Sequence, residues 1–436
     1  MSLLAIGLSH RSAPMTVLEE AALDASEQET FATALAACEN IREVIVLGTC
    51  NRLEVYAEAT TFHGALTEIG QCLVDATGIE RERLTDFLYV HYEERAIAHL
   101  FSVASGLDSM AVGEAQILGQ LRTSLRRSQD VGHAGPVLNA LVQQALRVAK
   151  RVHTDTGLDK AGPSLVEAGV GAATAHVGDL SEACVLVLGA GAMSSLAATT
   201  VSRMGCRDLV VVNRTHERAQ RLAVATSGRA ETVASLGRVL AEADIVISCT
   251  GAVGYVLDTQ QVLTASAARC HRPQAYVDLA LPRDVHPDVA STPGVVVHAL
   301  ADLGEIMTAA PDCPGAVAEA QDVVTAEVAA FLAHRRTLEV APTVAALRAR
   351  AQEVLQGEFT RLNSRLPGLD RSEQDEVRLA MHRVVEKLLH TPTVRVKELT
   401  GTADPSDYAH ALRELFDLDP YEVAAVSTPP EKGGLA

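Results

Sequence analysis

The chain has no tryptophan, and aromatic residues make up only 3% of it. Its cores must therefore be filled by Ala, Val, Leu and Ile. No apolar stretch of about 18 residues escapes interruption by charge, which argues against a membrane-spanning helix. The opening residues lack a charged segment followed by an apolar one, so no signal peptide is expected. The eight cysteines lie at 38, 50, 72, 184, 206, 249, 270 and 313, and none form CxxC pairs. Neither a zinc ribbon nor a disulfide scaffold is expected, and no metal site. Scattered thiols fit a reducing, cytoplasmic setting. Basic residues are the minority, 37 against 55 acids, for a net charge of −18. That balance excludes a nonspecific nucleic-acid binder but not a local basic face. One such face is expected where Arg122, Arg126 and Arg127 share a helical side, most simply as a solvated surface.

What is present falls into three textures, and 436 residues suit two or three domains. Up to about residue 150, short strands (LLAIGLSH, EVIVLGTC, RLEVYAEA) mix with helical stretches such as 65–77 and 94–105, an α+β pattern. Next come ACVLVLG, DLVVVNRT, ADIVISCTG and AYVDLALPRD, four apolar strands separated by helical segments such as 215–226. Strands alternating with helices predict a parallel sheet with right-handed crossovers. From about 314 the chain reads as helix throughout, interrupted near Pro342, with further helices at 343–366 and 372–390. STPPEKGGLA at the end reads as a disordered tail.

Two places carry chemistry. GAGAMS, residues Gly189, Ala190, Gly191, Ala192, Met193 and Ser194, follows a strand and opens a helix. Gly189 suits a tight turn, and Gly191 lets the backbone approach a pyrophosphate at a helix N-terminus. Ser194 stands where Gly or Ala is usual and leaves slightly less room. The second strand ends at Asn213, Arg214 and Thr215 rather than in an acid. A ribose-binding carboxylate is therefore absent, and Arg214, with Arg218 and Arg221 nearby, favours the 2′-phosphate of NADPH. The second place is VLGTCNRLEVY, where Cys50 lies just past an apolar run instead of within it. A thiol at a strand exit is accessible, and Arg52 close by favours its thiolate. The segment around His99, rich in polar groups among apolar ones, must pair those groups or use them. A thiol joined to an NADPH domain suggests thioester formation followed by hydride reduction to an aldehyde.

These pieces resemble one family. GLSHRSAP, LGTCNRLEVY, HLFSVASGLDSMAVGEAQILGQL, GAGAM with NRT, DLALPRDV and APTVAALR match the glutamyl-tRNA reductases in order along nearly the whole chain. The resemblance implies an α+β catalytic domain at 1–155, a Rossmann-like NADPH domain at 156–312, and a helical dimerisation domain at 313–420 before a tail at 421–436. It implies NADPH-dependent reduction of glutamyl-tRNA(Glu) to glutamate-1-semialdehyde, opening tetrapyrrole synthesis. Cys50 matches the nucleophile and His99 the histidine needed for activity. Thr49, Asn51, Arg52, Ser109, Glu114, Ala115, Gln116 and Gln120 match the substrate-contacting positions. Arg52 is the one expected to hold the glutamate carboxylate in two-point geometry, and Glu114 the α-ammonium. A homodimer, motion between domains and transfer of the aldehyde to the following aminotransferase are also implied. The chain departs from the pattern at Ala115, Ser194 and Leu18, where Pro, Gly and Arg are usual.

A shikimate-type NADP dehydrogenase is the alternative, since it shares GAG and NRT. It explains 180–300 but leaves TCNR without a task.

Overall fold

The computed structural model describes residues 2–113, 116–158, 164–250, 252, 254–309, 314–399 and 414–416. Glu114 and Ala115, expected to contact the substrate, and the tail expected at 421–436 lie outside the described residues. By internal packing the chain divides into two compact units, Met1–Thr325 and Ala326–Ala436.

The first unit opens with β1 (Ser2–Ser9), α1 (Met15–Glu20), α2 (Ala25–Ala36), β2 (Ile41–Gly48), β3 (Arg52–Ala59), α3 (Phe62–Thr77), α4 (Arg81–Thr85), β4 (Tyr89–Tyr92), α5 (Glu94–Ala104), α6 (Gln116–Asp130) and α7 (Pro136–Asp155). The four strands form an antiparallel sheet in the order β2-β3-β1-β4. Strand alternation decides its two faces. Leu53, Val55, Ala57 and Ala59 join Leu4, Ile6 and Leu8 in an aliphatic core with Phe31 and Leu35 of α2 and Ile69 and Leu73 of α3. The intervening residues of β3, Arg52, Glu54, Tyr56 and Glu58, must occupy the other face, and all four are buried. Leu18 is also buried in the aliphatic core. The position where the family pattern carries Arg thus serves packing here.

Then follow α8 (Leu165–Val177), β5 (Cys184–Leu188), α9 (Ala192–Met204), β6 (Asp208–Val212), α10 (His216–Ala225), β7 (Arg229–Glu231), α11 (Leu236–Glu242), β8 (Ile245–Ser248), α12 (Thr259–Ala268), β9 (Gln274–Asp278), β10 (Val295–Ala299) and α13 (Leu300–Ala309). All six strands are parallel, in the order β10-β9-β8-β5-β6-β7. This is the doubly wound dinucleotide-binding order, reversing direction between β5 and β8. Apolar cores lie on both faces, as the near-continuous hydrophobic runs require. The sequence showed four of these strands; β7 is only three residues long, and β10 follows a Thr-Pro-Gly turn.

Two long helices remain, α14 (Pro314–Arg365) and α15 (Arg371–Leu399). The expected interruption at Pro342 does not occur: α14 runs through it for 52 residues. A proline removes one backbone donor from a helix, and good helix formers on both sides carry the chain past the loss. Pro392 is likewise inside α15, which continues beyond the expected end at 390. Among the described residues no helix is long and apolar enough to cross a membrane.

Candidate active site

Cys50 sits in the three-residue loop joining β2 to β3. The Thr49 N–H donates to the Arg52 carbonyl at 2.9 Å, closing the hairpin, and the His10 N–H pins the Asn51 carbonyl at 3.0 Å. Thr49 Oγ accepts from the Asn51 N–H at 3.1 Å. Asn51 Oδ1 is buried and accepts nothing among the described residues. Cys50 is half-buried and packs against the core cluster of the parallel-sheet layer, alongside Met15, Met110 and Met193. The thiol thus lies at the seam between the two α/β layers of this unit.

Beneath the loop is a buried charge network centred on Glu54, which is fully enclosed. Arg52 Nη1 donates to Glu54 Oε1 at 2.6 Å, Tyr56 Oη to Oε2 at 2.5 Å, and the Tyr89 hydroxyl also donates to Oε1. His99 Nε2 lies 2.9 Å from the same oxygen. Burial alone would push the Glu54 carboxyl up, but the Arg52 charge and the His99 and Tyr56 hydrogen bonds hold it well below the usual carboxylate range. An ionised carboxylate only accepts, so His99 donates from Nε2 and keeps Nδ1 as its remaining nitrogen. Burial and the Glu54 charge hold the Tyr56 and Tyr89 phenols up, protonated as donors. Gly7 pairs opposite Glu54 in the sheet. A Cβ on Gly7 would lie 2.8 Å from Glu54 Cα and 2.9 Å from its Cγ, so the missing side chain gives the carboxylate its room.

Arg52 itself is almost completely buried. Its Nη2 donates to the Asp108 carbonyl and lies 3.1 Å from Asp108 Oδ2, while Arg11 Nε holds Asp108 Oδ1 at 2.9 Å. Desolvation opposes the Arg52 charge, yet Glu54 and Asp108 together hold its pKa above the ordinary guanidinium value. The expected carboxylate holder is therefore already engaged by two acids of the protein. His10, beside Arg52, is pushed down to about 4 by burial and that positive charge. These partners tie the hairpin loop to the turn after α5, where Gly106 and Gly113 both take positive φ and the Gly113 N–H donates to the Gly106 carbonyl at 3.0 Å.

The structure brings several expected residues together. Gly48, at the foot of the Cys50 loop, lines one cleft of about 550 Å³ with Gln116, Gln120, Arg127 and Ala192. Gln116 Nε2 reaches the Met193 sulfur at 3.5 Å. Ser109 lies apart from these, in a neighbouring cleft of about 850 Å³ with His10, Arg11 and Glu305. Glu54, Tyr56, Tyr89 and Asp108, with His10 and Arg11, join the site without having been expected there from the sequence. The signal for Glu54 was its place two residues after Arg52 on an alternating strand, which fixes both on one face.

The glycine turn after β5 fits a dinucleotide. Gly189 has φ 110°, and a Cβ there would lie 2.8 Å from the Cys249 carbonyl oxygen. Gly191, the N-cap of α9, has open space where a Cβ would be. The turn therefore offers the close backbone approach and helix N-terminus that a diphosphate needs. Ser194 is fully buried; its hydroxyl donates to the Cys249 carbonyl at 3.2 Å and accepts the Gly191 N–H at 3.3 Å. It is therefore accommodated inside the turn, at the cost of occupying one of its N–H groups. Asn213 Nδ2 closes the β6 exit onto the Thr215 carbonyl at 3.0 Å. Arg214 is exposed, as are Arg218 and Arg221.

Comparison with known proteins decides between the two readings of this site. The family model for the glutamyl-tRNA(Glu) reductase N-terminal domain matches residues 6–156, and that for the glutamyl-tRNA(Glu) reductase dimerisation domain matches 319–418. Between them, a shikimate/quinate 5-dehydrogenase model matches 171–306. Glutamyl-tRNA reductase 1 of Nocardioides sp. is 48% identical over 429 residues, covering 98% of this chain and 99% of that protein. The chain belongs to the glutamyl-tRNA reductase family. Its relative from Kineococcus radiotolerans is 51% identical over 425 residues, covering 96% of this chain and 94% of that one. The solved glutamyl-tRNA reductase from Methanopyrus kandleri is 28% identical, covers 95% of this chain and 99% of its own, and superimposes with a TM-score of 0.47. The glutamyl-tRNA reductases catalyse the first step of tetrapyrrole biosynthesis, and the present chain is an oxidoreductase of that family. Likeness to the shikimate dehydrogenases is confined to the parallel-sheet layer, a shared fold that takes an NAD(P) cofactor.

Proposed function

We propose that this glutamyl-tRNA reductase works through Cys50, with NADPH as reductant and glutamyl-tRNA(Glu) as substrate. The observation that carries the reading is the seam: the Cys50 loop, Gln116 and Gln120 share their surroundings with the first turn of the helix that opens the dinucleotide site. The Cys50 sulfur attacks the glutamyl ester carbonyl, a carbon–sulfur bond forms, and the tRNA hydroxyl leaves with a proton. His99, held through Nε2 by Glu54, has Nδ1 with which to move that proton or polarise the carbonyl. Arg52 holds the substrate carboxylate by exchanging contacts it now makes with Asp108. Asn51 Oδ1 and Glu114 are acceptors for the α-ammonium group. When bound, NADPH supplies the hydride that turns the thioester into glutamate-1-semialdehyde and frees the thiol. Gly189, Gly191 and the start of α9 hold its diphosphate, and Arg214 its 2′-phosphate.

The same reading divides the chain into a catalytic domain at 1–155, a cofactor domain at 156–312 and a helical domain at 313–420 through which a homodimer forms. Exposed apolar side chains on α15, Leu379, Val384 and Leu388, suit such an interface. The protein works in the cytoplasm and hands its reactive aldehyde to the following aminotransferase. Arg122, Arg126 and Arg127 are exposed on α6, and Arg127 borders the cleft, so this face guides the tRNA body. Reversing the three charges should weaken tRNA binding and flatten its salt dependence.

Single-turnover mass spectrometry tests the chemistry. Protein mixed with glutamyl-tRNA(Glu) and no NADPH, then quenched in acid, should carry a glutamyl adduct on Cys50 that later NADPH converts to aldehyde. Turnover without any adduct on Cys50 would overturn the thioester route.

A further inference from the structure

The parallel-sheet layer contains a buried carboxylate that the reaction above does not use. Asp284 is fully buried in the segment after β9. Its Oδ2 accepts the Ser248 hydroxyl at 2.7 Å and the Thr250 N–H at 2.7 Å, and its Oδ1 accepts the Thr250 hydroxyl at 2.6 Å. Its backbone carbonyl accepts the Val256 and Leu257 N–H groups at 2.7 and 2.9 Å. One residue thus ties the end of β8 to the loop that follows. Asp278, also buried, holds the neighbouring turn through the Ala280 and Val285 N–H groups at 3.1 and 2.9 Å.

Ser248 and Thr250 flank Cys249, and Cys249 is the contact between β8 and the glycine turn. Its carbonyl accepts the Ser194 hydroxyl, which in turn accepts the Gly191 N–H. The same carbonyl, with the Ser194 hydroxyl, closes the space a Cβ at Gly189 would need, at 2.8 and 2.6 Å. A continuous path of hydrogen bonds and packing therefore runs from the Asp284 carboxylate through the end of β8 to the backbone expected to meet the diphosphate. It crosses the point between β5 and β8 where the sheet reverses order, the crevice in which such sheets bind ligands.

We propose that Asp284 is a positioning residue for the cofactor: it sets the β8 wall against which the glycine turn is shaped, and acts on hydride transfer only through dinucleotide binding. This rests on the reading that NADPH occupies the turn. Removing the carboxylate leaves three donors of Ser248 and Thr250 without their acceptor, so the wall relaxes while the thiol layer keeps its own network.

The test uses the full-length protein and NADPH with no substrate present. The chain has no tryptophan, so the emission of bound reduced nicotinamide is read without indole background. Asp284→Ala should raise the NADPH Kd about tenfold or more, the scale of a lost charge-assisted hydrogen bond. Formation of the Cys50 adduct without NADPH should stay at the wild-type rate, and saturating NADPH should restore the rate of reduction. Asp284→Asn keeps the volume and one acceptor, and covers the case in which the alanine variant does not fold; its Kd should rise severalfold. Wild-type affinity in these variants, or adduct formation falling in step with NADPH binding, would overturn the proposal alone. A wild-type protein that does not bind NADPH would overturn the cofactor reading and this proposal with it.

Discussion

The two halves of the active seam are built from opposite materials. The thiol side rests on charge: Glu54 and Arg52 are buried together, the half-buried Asp108 is shared between Arg52 and Arg11, and two tyrosines and His99 complete the set. The cofactor side offers the ligand mostly backbone, shaped by a missing Cβ and a buried hydroxyl. A buried charge network gives fixed orientation but is intolerant of losing a member, because any partner left behind is an unpaired charge in low dielectric. A backbone cradle tolerates more chemistry around it and is limited by shape. One half therefore fails through electrostatics and the other through sterics.

Substitutions sharpen that contrast. The largest effect belongs to the thiol. Cys50→Ser should lower glutamyl-tRNA reduction by about a thousandfold or more while leaving NADPH affinity unchanged, because serine is a far weaker nucleophile at neutral pH. Equal loss of both in steady-state and binding assays would mean that the two halves are not separable. Next comes Glu54→Gln. It leaves Arg52 buried with less compensation, and the cost to stability should be about 3 kcal/mol, read from urea unfolding, together with loss of His99-dependent activity. A fully stable variant would show that the network is not held by its charges. Arg214→Ala is milder, since the side chain is exposed. The preference for NADPH over NADH should drop by about tenfold in kcat/KM, with NADH kinetics almost untouched.

The smallest and most diagnostic effect is on pH. Glu54 is held below its ordinary value, so its contribution is complete above the usual carboxylate range and is lost as pH falls through and below it. Asp278 is pushed the other way, up to about 7, by burial first and by the Asp284 charge as well. The folded protein then binds this proton more tightly than the unfolded chain, so the contribution is present in acid and lost as pH rises through about 7. Hydrogen exchange, corrected for its intrinsic rate, should show β3 loosening on acidification and the segment after β9 loosening as pH rises from the usual carboxylate range to about 7. Loosening of both segments in the same direction would break the comparison.

The legibility of the two halves in the sequence differs for the same reason. The glycine turn is contiguous, and its fit depends on residue types that leave local marks, so Gly189 to Ser194 could be read in order. The charge network draws on β1, β3, β4 and α5, and its hub depends on Gly7 standing opposite Glu54 and on Tyr89 arriving from a four-residue strand. No local pattern announces such a meeting. Glu54 was visible only as part of a polar–apolar alternation, which said that it shared a face with Arg52 but not that this face was covered. Arg52 stands out in the sequence by its place two residues after Cys50, yet its engagement by Asp108 follows from the turn after α5, whose position is tertiary. Pro342 shows the limit in the other direction: a strong local stop signal is overridden by the long helix on both sides.

Four of the seven methionines in the chain, Met15, Met110, Met193 and Met307, pack against the same core cluster as Cys50. Unbranched thioethers repack easily, which suits a surface where two layers must adjust to a large substrate. The same sulfurs make the seam a target for peroxide. Oxidised to sulfoxides, they become polar and stiffer in their demands, and thiol reductants that restore a cysteine do not restore them. Part of the damage that an oxidant does here would therefore outlast the recovery of the thiol, and would be repaired only by enzymes that reduce methionine sulfoxide.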